Sequence, residues 1–119
     1  MDRTFALKFA GEWMLAWNDH DLERILSHYS DDVEFTSPLV GVIAGEHSGT
    51  LRGKKFVGAY WEMALRQMPN LHFELIDVTV GVHSICIYYH SVLGKKSIEW
   101  MLFGDDDKVI KSMAHYDSV

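Results

Sequence analysis

The spacing of apolar residues predicts three helices near the start of the chain. Large aromatic residues recur at every fourth position and indicate one broad apolar face on a first helix. These residues are Phe5, Phe9, Trp13 and Trp17. Residues 22–29 follow with the spacing of a short amphipathic helix, which Asp31-Asp32 is expected to end. A third helix is predicted from near Gly53 to the residue before Pro69, because proline stops a helix.

The rest of the chain alternates between strand and turn patterns. Residues 33–37 predict a short strand that Pro38 closes, and the glycine-containing segment 39–50 predicts a loop. Further strands rich in Ile, Val, Tyr and Phe are predicted near residues 71–79, 84–93, 97–103 and 109–117. Helices that come first and strands that come later are typical of an α+β domain, with helices on one face of an antiparallel sheet.

Pairing across tight turns predicts which residues of the sheet face the helices. A two-residue turn at Gly94-Lys95 would place His90 opposite Glu99 and Tyr88 opposite Met101. A turn centred near Asp105-Asp106 would place Ser112 opposite Glu99, and a turn centred at Gly81-Val82 would place Phe73 opposite His90. The predicted inner face then carries Phe73, Leu75, Tyr88, His90, Glu99, Met101, Phe103, Ile110, Ser112, Ala114 and Tyr116.

The opposite face of the predicted sheet is also apolar. It would carry Ile76, Val78, Ile85, Ile87, Tyr89, Ile98, Trp100, Leu102, Val109 and Met113, with His115 on the same side. A layer of helices can cover only one face, and large exposed apolar patches usually mark an interface. We therefore expect a homodimer that packs through the outer face of the sheet with two-fold symmetry.

Composition and charge narrow the range of partners. The 119 residues predict a single domain over residues 1–119. A net charge of −6 argues against binding to nucleic acid or to an anionic membrane surface. The single cysteine, Cys86, excludes an internal disulfide. The start of the chain lacks a signal-peptide pattern and no apolar run is long enough to span a membrane, so we expect a cytoplasmic protein.

Several motifs resemble one known superfamily. The run Trp-Asn-Asp-His-Asp-Leu at 17–22, Leu-Ser-His-Tyr at 26–29 and Asp-Asp-Val-Glu-Phe-Thr-Ser-Pro at 31–38 resemble the start of the nuclear transport factor 2-like (NTF2-like) superfamily, and most closely its SnoaL-like, polyketide cyclase-like branch. Segments 51–55 and 108–111 fit the same pattern, so the resemblance covers nearly the whole chain. It implies a cone in which three helices pack on a strongly curved antiparallel sheet around a pocket. Members include isomerases, cyclases, dehydratases, hydrolases and binding domains, so the resemblance does not define a reaction.

The ketosteroid isomerase branch of that superfamily allows a test by residue. The tyrosine of its first helix falls on Trp13, its catalytic-base aspartate falls on Ser37, and its second acid falls on Glu99. Two of the three positions therefore differ. A serine is no ordinary general base near neutral pH, so we do not expect ketosteroid isomerase activity.

Glu99 and His90 are the candidate catalytic residues. Glu99 lies among apolar neighbours on its strand, where burial would raise the pKa of its carboxyl group and suit it to proton transfer. His90, if it lies directly opposite, would supply a second titrating group. The alternative is a purely structural pair in which His90 satisfies a buried Glu99.

Other side chains are expected to line an apolar pocket with a few polar groups. The candidates for substrate binding are Trp13, Trp17, Phe35, Ser37, Tyr60, Tyr88, Met101, Ser112 and Tyr116, although rings such as Trp17 and Phe35 also fit a plain core. The sequence has no His-x-His pair, zinc-binding helix, phosphate loop or dinucleotide fingerprint, so neither a metal nor a cofactor is expected.

Two functions remain open from the sequence. The first is a cofactor-independent isomerase, cyclase or dehydratase that acts on a small apolar carbonyl compound through Glu99 and His90. The second is a ligand-binding or dimerisation module of the same fold without chemistry, and the serine at position 37 favours it.

Overall fold

Four α-helices pack against one side of a curved six-stranded sheet in the computed structural model, which describes residues 1–118. The helices are α1 (Arg3–Asn18), α2 (Leu22–Leu26), α3 (Pro38–Ala44) and α4 (Lys54–Gln67). The strands are β1 (Tyr29–Thr36), β2 (Thr50–Arg52), β3 (Glu74–Gly81), β4 (Ser84–His90), β5 (Lys96–Phe103) and β6 (Val109–Tyr116). The expected α+β architecture is confirmed, while the final residue of the expected 1–119 domain lies outside the described part of the chain.

The sheet is mixed and not wholly antiparallel. Its strand order is β2-β1-β6-β5-β4-β3, so the last strand of the chain lies between β1 and β5. β6 runs parallel to β1 and places Ser112 beside Phe35, whereas every other neighbouring pair is antiparallel. The prediction of an antiparallel sheet is wrong at this pair, because hairpin patterns report only on strands that are neighbours in sequence.

The first two helices follow local capping signals. The Asp2 side chain accepts a hydrogen bond from the Phe5 N–H and begins α1, and Asp21 caps α2 in the same way. α2 ends at Leu26, earlier than predicted, and Tyr29 belongs to β1 together with Asp31-Asp32. Pairing of this segment with β6 explains the difference, since the sheet supplies backbone hydrogen bonds that a short isolated helix lacks.

The segment predicted as a loop after Pro38 contains an extra helix and a short strand. Ser37 caps α3 by accepting from the Leu39 N–H, and Pro38 occupies its first turn. Gly45, with a φ of 73°, ends the helix in the left-handed conformation. A capping serine followed by proline and an apolar run is a helix start signal, which the three glycines of this segment obscured.

The register between β4 and β5 differs from the predicted one. The connection is a five-residue loop over 91–95, closed by a hydrogen bond from the Ser91 N–H to the Lys95 carbonyl, and not a two-residue turn. As a result His90 lies opposite Lys96, and Ile87 lies opposite Glu99. The predicted and observed pairings of β4 with β5 differ by an odd number of residues. Each side chain of β4 therefore points to the face of the sheet opposite to the predicted one.

The two faces of β4 are therefore exchanged relative to the prediction. Ile85, Ile87 and Tyr89 are buried on the inner face, whereas Tyr88 and His90 lie on the outer face and are partly exposed. The turn between β3 and β4 also differs, because Glu74 and not Phe73 lies opposite His90, and Val78 faces inward beside Ile87.

The faces of β5 and β6 are mostly as predicted although their register is not. Glu99 lies opposite Ala114, and Met101 lies opposite Ser112. The difference from the predicted pairing is two residues, which preserves the alternation of faces. A register shift beside Phe103 reverses only the start of β6, where Val109 is buried and Ile110 is exposed.

The outer face of the sheet is apolar, as the sequence indicated. Partly buried or exposed side chains from three adjacent strands form one patch, which comprises Cys86, Tyr88, Ile98, Trp100, Leu102 and Met113, with the exposed His115 at its margin. α1 packs on the other side of the sheet, where Trp13 contacts Tyr89 of β4. None of the helices in residues 1–118 is long and apolar enough to cross a membrane.

Polar residues at the end of α1 and just after it hold the chain segment that leads into β3. The Asn18 side chain donates to the Phe73 carbonyl at 3.0 Å and accepts from the Phe73 N–H at 2.6 Å. The His20 Nε2 lies 2.9 Å from the Leu71 carbonyl oxygen. These contacts anchor residues 71–73, which form part of the cavity wall described below.

We expect Asn18→Ala to lower the free energy of unfolding by about 1–3 kcal/mol, because it leaves two partly buried backbone groups without their partner. Urea denaturation of the variant and the wild type measures this difference. Asn70→Ala, at an exposed position near the same segment, is the control and should change stability by less than about 0.5 kcal/mol. Equal effects of the two substitutions would contradict the anchoring role of Asn18.

Candidate functional site

A cavity of about 50 Å³ lies between the helices and the inner face of the sheet. Eight aromatic side chains line it: Trp13, Trp17, Phe35, Tyr60, Trp61, Phe73, Tyr89 and Tyr116. Two of these residues belong to α1 (Trp13 and Trp17) and two belong to α4 (Tyr60 and Trp61). The other four come from strands of the sheet or, for Phe73, from the residue just before β3. Edge-to-face contacts such as Trp13 against Tyr89, with ring centroids 5.2 Å apart, hold the walls in place.

One carboxyl group, that of Glu99, belongs to the cavity wall. Its side chain is 3 % exposed. The Tyr89 hydroxyl donates to Oε1 at 3.1 Å, and the Ser112 hydroxyl donates to Oε2 at 2.7 Å. These donors come from β4 and β6, the two strands that flank β5, so both carboxyl oxygens have a partner from a neighbouring strand.

Burial decides the ionisation of Glu99. Desolvation of the carboxylate raises the pKa of Glu99 from its ordinary value of 4.5 to about 7, although the hydrogen bonds from Ser112 and Tyr89 act in the opposite direction. The protonated and ionised forms are then both populated near neutral pH. A group with this property can accept a proton in one step and return it in the next.

The surrounding phenols remain protonated. Burial raises the pKa of Tyr116 to about 12, with a further contribution from the charge of Glu99. Burial likewise raises the pKa of Tyr60 and of Tyr89, and in each case nearby Tyr116 and Glu99 charges add to the effect. At neutral pH these hydroxyls are therefore hydrogen-bond donors close to Glu99.

The two tryptophans of α1 differ in their hydrogen bonding. The Trp13 Nε1 donates to the Tyr29 hydroxyl at 2.9 Å, a buried contact that ties α1 to β1. The Trp17 Nε1 is buried and has no hydrogen-bond partner among the described residues. An unpaired buried donor is costly, so a ligand with an acceptor atom near Trp17 would remove that cost.

Six of the predicted site residues line the cavity. They are Trp13, Trp17, Phe35, Tyr60, Glu99 and Tyr116. The aromatic residues among them can be recognised in the sequence, because they follow a helical spacing on α1 and α4 and the two-residue alternation of side chains on the strands. Their functional roles stay predictions.

Two predicted site residues lie on the wrong side of the sheet. The five-residue loop after β4 places His90 and Tyr88 on the outer face, so the predicted pairing of His90 with Glu99 is wrong. Tyr89 occupies the place expected for His90 and is the actual partner of Glu99 from β4. A hydroxyl group of high pKa thus replaces the expected imidazole.

Three other predicted residues are buried behind the cavity wall. Ser112 holds Glu99 in position, and Met101 is fully buried beneath the inner face. Ser37, 1 % exposed, caps α3, and its side chain also interacts with the Tyr116 hydroxyl. These residues support groups that line the cavity, although they do not line it themselves.

Sequence reasoning missed several cavity residues. Tyr89, Ser91, Leu71 and Met68 line the wall, and none of them was assigned to the site. The alternation Ile85, Ile87, Tyr89 would have identified Tyr89 if the length of the following loop had been known. The other three lie in connecting segments, where no periodic pattern reports on burial.

Within residues 1–118, no group of three or more His, Cys, Asp or Glu side chains is arranged to hold a metal ion.

Comparison with known proteins gives one family. A family model described as the SnoaL-like domain matches residues 10–110. The structure of a SnoaL-like protein of unknown function from Burkholderia thailandensis is 50% identical, with a TM-score of 0.95 over 98% of each chain. No curated protein matches the sequence significantly.

More distant structures have the same fold. An NTF2-like protein of unknown function from Cytophaga hutchinsonii is 11% identical, with a TM-score of 0.70 over 91% of this chain and 86% of its own. A protein of the SnoaL-like family from Agrobacterium tumefaciens, whose assignment as an isomerase is provisional, is 15% identical, with a TM-score of 0.77 over 97% of this chain and 99% of its own. The expected NTF2-like fold is confirmed, with four helices and not three.

Glu99→Gln should reveal the raised pKa of Glu99 as a pH dependence of stability. The pKa of Glu99 is higher in the folded state than in the unfolded chain, so the unfolded chain loses the proton first as the pH rises. The contribution of Glu99 to the free energy of unfolding is therefore largest below about pH 4.5. It decreases as the pH rises to about 7, by about 3 kcal/mol in total. Glutamine stays neutral, so wild type should lose about 2–3 kcal/mol relative to Glu99→Gln between pH 5 and pH 8.

Urea unfolding at both pH values measures this difference. Glu74→Gln removes an exposed carboxylate on β3 and serves as the control, with an expected change below about 0.5 kcal/mol at either pH. If the difference in free energy of unfolding between wild type and Glu99→Gln were the same at both pH values, Glu99 would not titrate differently in the folded and unfolded states.

Proposed function

Because the chain belongs to the SnoaL-like domain family, we propose that its aromatic cavity binds a small, mostly apolar carbonyl compound and that Glu99 moves a proton on this ligand. The reaction class is that of a cofactor-independent isomerase, cyclase or dehydratase, and not a ketosteroid isomerase. The observation that carries the proposal is a single carboxyl group, with a pKa raised to about 7 by burial, in the wall of a cavity that is lined mostly by aromatic and aliphatic side chains.

The cavity wall favours an uncharged ligand. No lysine, arginine or histidine of the described residues lines the cavity, so an anionic ligand would meet Glu99 without a compensating charge. Aromatic rings supply apolar surface, and the Trp17 N–H and the phenols supply donors. A carbonyl oxygen is an acceptor that suits these donors, and the carbon beside it carries a removable proton.

The proposed chemistry uses one acid–base group and neutral donors. Ionised Glu99 takes a proton from the carbon next to the carbonyl, and the electron pair of the broken C–H bond moves onto the carbonyl oxygen as an enolate. A hydroxyl group such as that of Tyr116 or Tyr60 stabilises this oxygen by donating a hydrogen bond. In an unsaturated ligand the enolate is delocalised, and Glu99 then returns its proton to a different carbon of that system: the new C–H bond forms as the carbonyl is restored, which completes an isomerisation and regenerates the carboxylate.

Glu99 can play this role while it keeps its two hydrogen bonds. Each carboxylate oxygen has two lone pairs, and Tyr89 and Ser112 each use one. The hydroxyls also hold the carboxyl group in a fixed orientation, which lowers the entropic cost of the reactive geometry. Tyr89 and Ser112 are therefore positioning residues in this proposal.

A binding module without chemistry is the second candidate. Ser37 supports it, because its hydroxyl caps α3 and offers the cavity no second acid–base group. In that case Glu99 would select ligands by hydrogen bonding and would not react.

Exchange of ligand protons with solvent deuterium separates the two candidates. Wild-type protein in D₂O should catalyse exchange at the saturated carbon beside the carbonyl of small cyclic ketones and enones such as cyclohex-2-enone, followed by proton NMR. Glu99→Gln should slow this exchange by about 100-fold or more, because glutamine cannot act as a base. The rate of exchange should rise as the pH passes through about 7, because Glu99 ionises in this range.

Glu74→Gln is the control for this assay and should keep the wild-type exchange rate, because Glu74 is exposed on β3. Binding of these ketones without exchange above the buffer rate would favour the binding module. Equal exchange by wild type and Glu99→Gln would contradict the role of Glu99.

We also propose that the protein forms a homodimer through the outer face of the sheet. The patch defined above spans β4, β5 and β6, with Trp100 between Cys86 and Met113 in the cross-strand direction. The six residues of the patch carry no charge, although the chain has a net charge of −6, and Lys111, at the edge of the patch opposite Leu102, is paired with Glu34. Two copies can therefore bring these patches together without opposing like charges at their centres.

Trp100→Glu should convert the dimer to a monomer, because it places a carboxylate from each copy at the centre of the patch. Light scattering at micromolar concentration measures the mass. Leu15→Glu introduces the same charge at a 57 % exposed apolar position on α1 and should leave the mass unchanged. A monomeric wild type at these concentrations would contradict the proposal.

A further inference from the structure

A second concavity of about 400 Å³ adjoins the Glu99 cavity. Its walls are the connection from α4 to β3, residues 67–72, and the loop after β4, residues 91–94. Met68, Leu71, Ser91 and Val92 line both spaces. We call these four residues the neck, because they form the part of the wall that the two spaces share, and we call the outer space the groove.

The two spaces differ in size and chemistry. The inner cavity is compact and has room for about three to five waters, because a single water needs about 10–15 Å³ of a cavity measured in this way. The groove is several times larger. Its side chains outside the neck include the polar groups of Gln67, Asn70 and His72, and no carboxylate or ammonium group of the described residues lines it.

The walls of the neck are held by contacts from elsewhere in the fold. His20 contacts the Leu71 carbonyl, and Asn18 holds the adjacent Phe73. On the other side, the Ser91 hydroxyl pairs with the Ser97 hydroxyl at 2.5 Å, and both side chains are buried. A neck fixed from both sides admits ligands by shape, and small differences in width select between them.

We propose that the groove is a second ligand subsite and that the substrate is an elongated, uncharged compound in two parts. A narrow carbonyl head passes the neck and reaches Glu99, while a larger body with hydroxyl or similar polar substituents lies in the groove. Asn70 and His72 recognise this body, and the neck residues set the width of the head. This inference rests on the proposed function, because it assigns the head to the Glu99 cavity.

Two probes of matched chemistry test the assignment. Cyclohex-2-enone represents the head alone, and 4-(4-hydroxyphenyl)cyclohex-2-enone carries a neutral polar body. Isothermal titration calorimetry gives the dissociation constant of each. Wild type should bind the long probe about tenfold more tightly than the short one or better, and the double substitution of Asn70→Ala with His72→Ala should reduce that ratio by about tenfold.

Controls distinguish the groove from other causes. His47→Ala removes an exposed histidine outside the groove and should keep the wild-type ratio of the two constants. Val92→Trp narrows the neck and should weaken the binding of both probes. Equal dissociation constants for the two probes, no binding of the long probe, or a ratio unchanged by the double substitution would overturn the proposal.

The deuterium exchange assay separates failure of this inference from failure of the proposed function. If the short probe exchanges in a Glu99-dependent way but the long probe binds no more tightly, the groove assignment is wrong and the chemistry stands. If the long probe binds through Asn70 and His72 but neither probe exchanges, the groove stands as a binding site and the chemistry is wrong.

Discussion

The burial of the Glu99 carboxyl group is the constraint on which the rest of the structure depends. An ionisable group inside an aromatic cavity is stable only when its oxygens have hydrogen-bond partners. Tyr89 from β4 and Ser112 from β6 supply these partners. The registers of three adjacent strands are therefore coupled at one side chain, because a slip of one residue would turn Tyr89 or Ser112 to the outer face.

The helices complete this environment from the other side. Trp13 contacts Tyr89 through its ring and reaches Tyr29 through its N–H, so a single residue of α1 contacts both β4 and β1, which β5 and β6 separate in the sheet. Polar residues at the end of α1 and just after it then hold the segment before β3 against the cavity. Water is largely kept from the carboxyl group, and its raised pKa follows from this exclusion.

Local patterns explain which parts of the fold were readable in advance. The aromatic spacing on α1 and the proline after α4 predict both helices, because helical periodicity is a property of neighbouring residues. Glu99 was identified as a buried carboxyl group because its own strand is apolar on both sides. The outer faces of β5 and β6 were also correct, since an error of two residues in a hairpin preserves alternation.

Loops and distant pairings explain the failures. His90 was assigned to the site because the loop after β4 was taken to have two residues, and its five residues reverse every side chain of that strand. The parallel pairing of β1 with β6 has no local signal, because the two strands are far apart in sequence.

The sequence by itself determined the class of fold, the aromatic walls and the presence of one buried acid, because all three follow from periodicity and composition. Only the folded chain brings Tyr89 and Ser112 to that acid and places the cavity and the groove on either side of the neck. Strand register and loop conformation bring these residues together, and both depend on backbone hydrogen bonds between segments that are not adjacent in the chain.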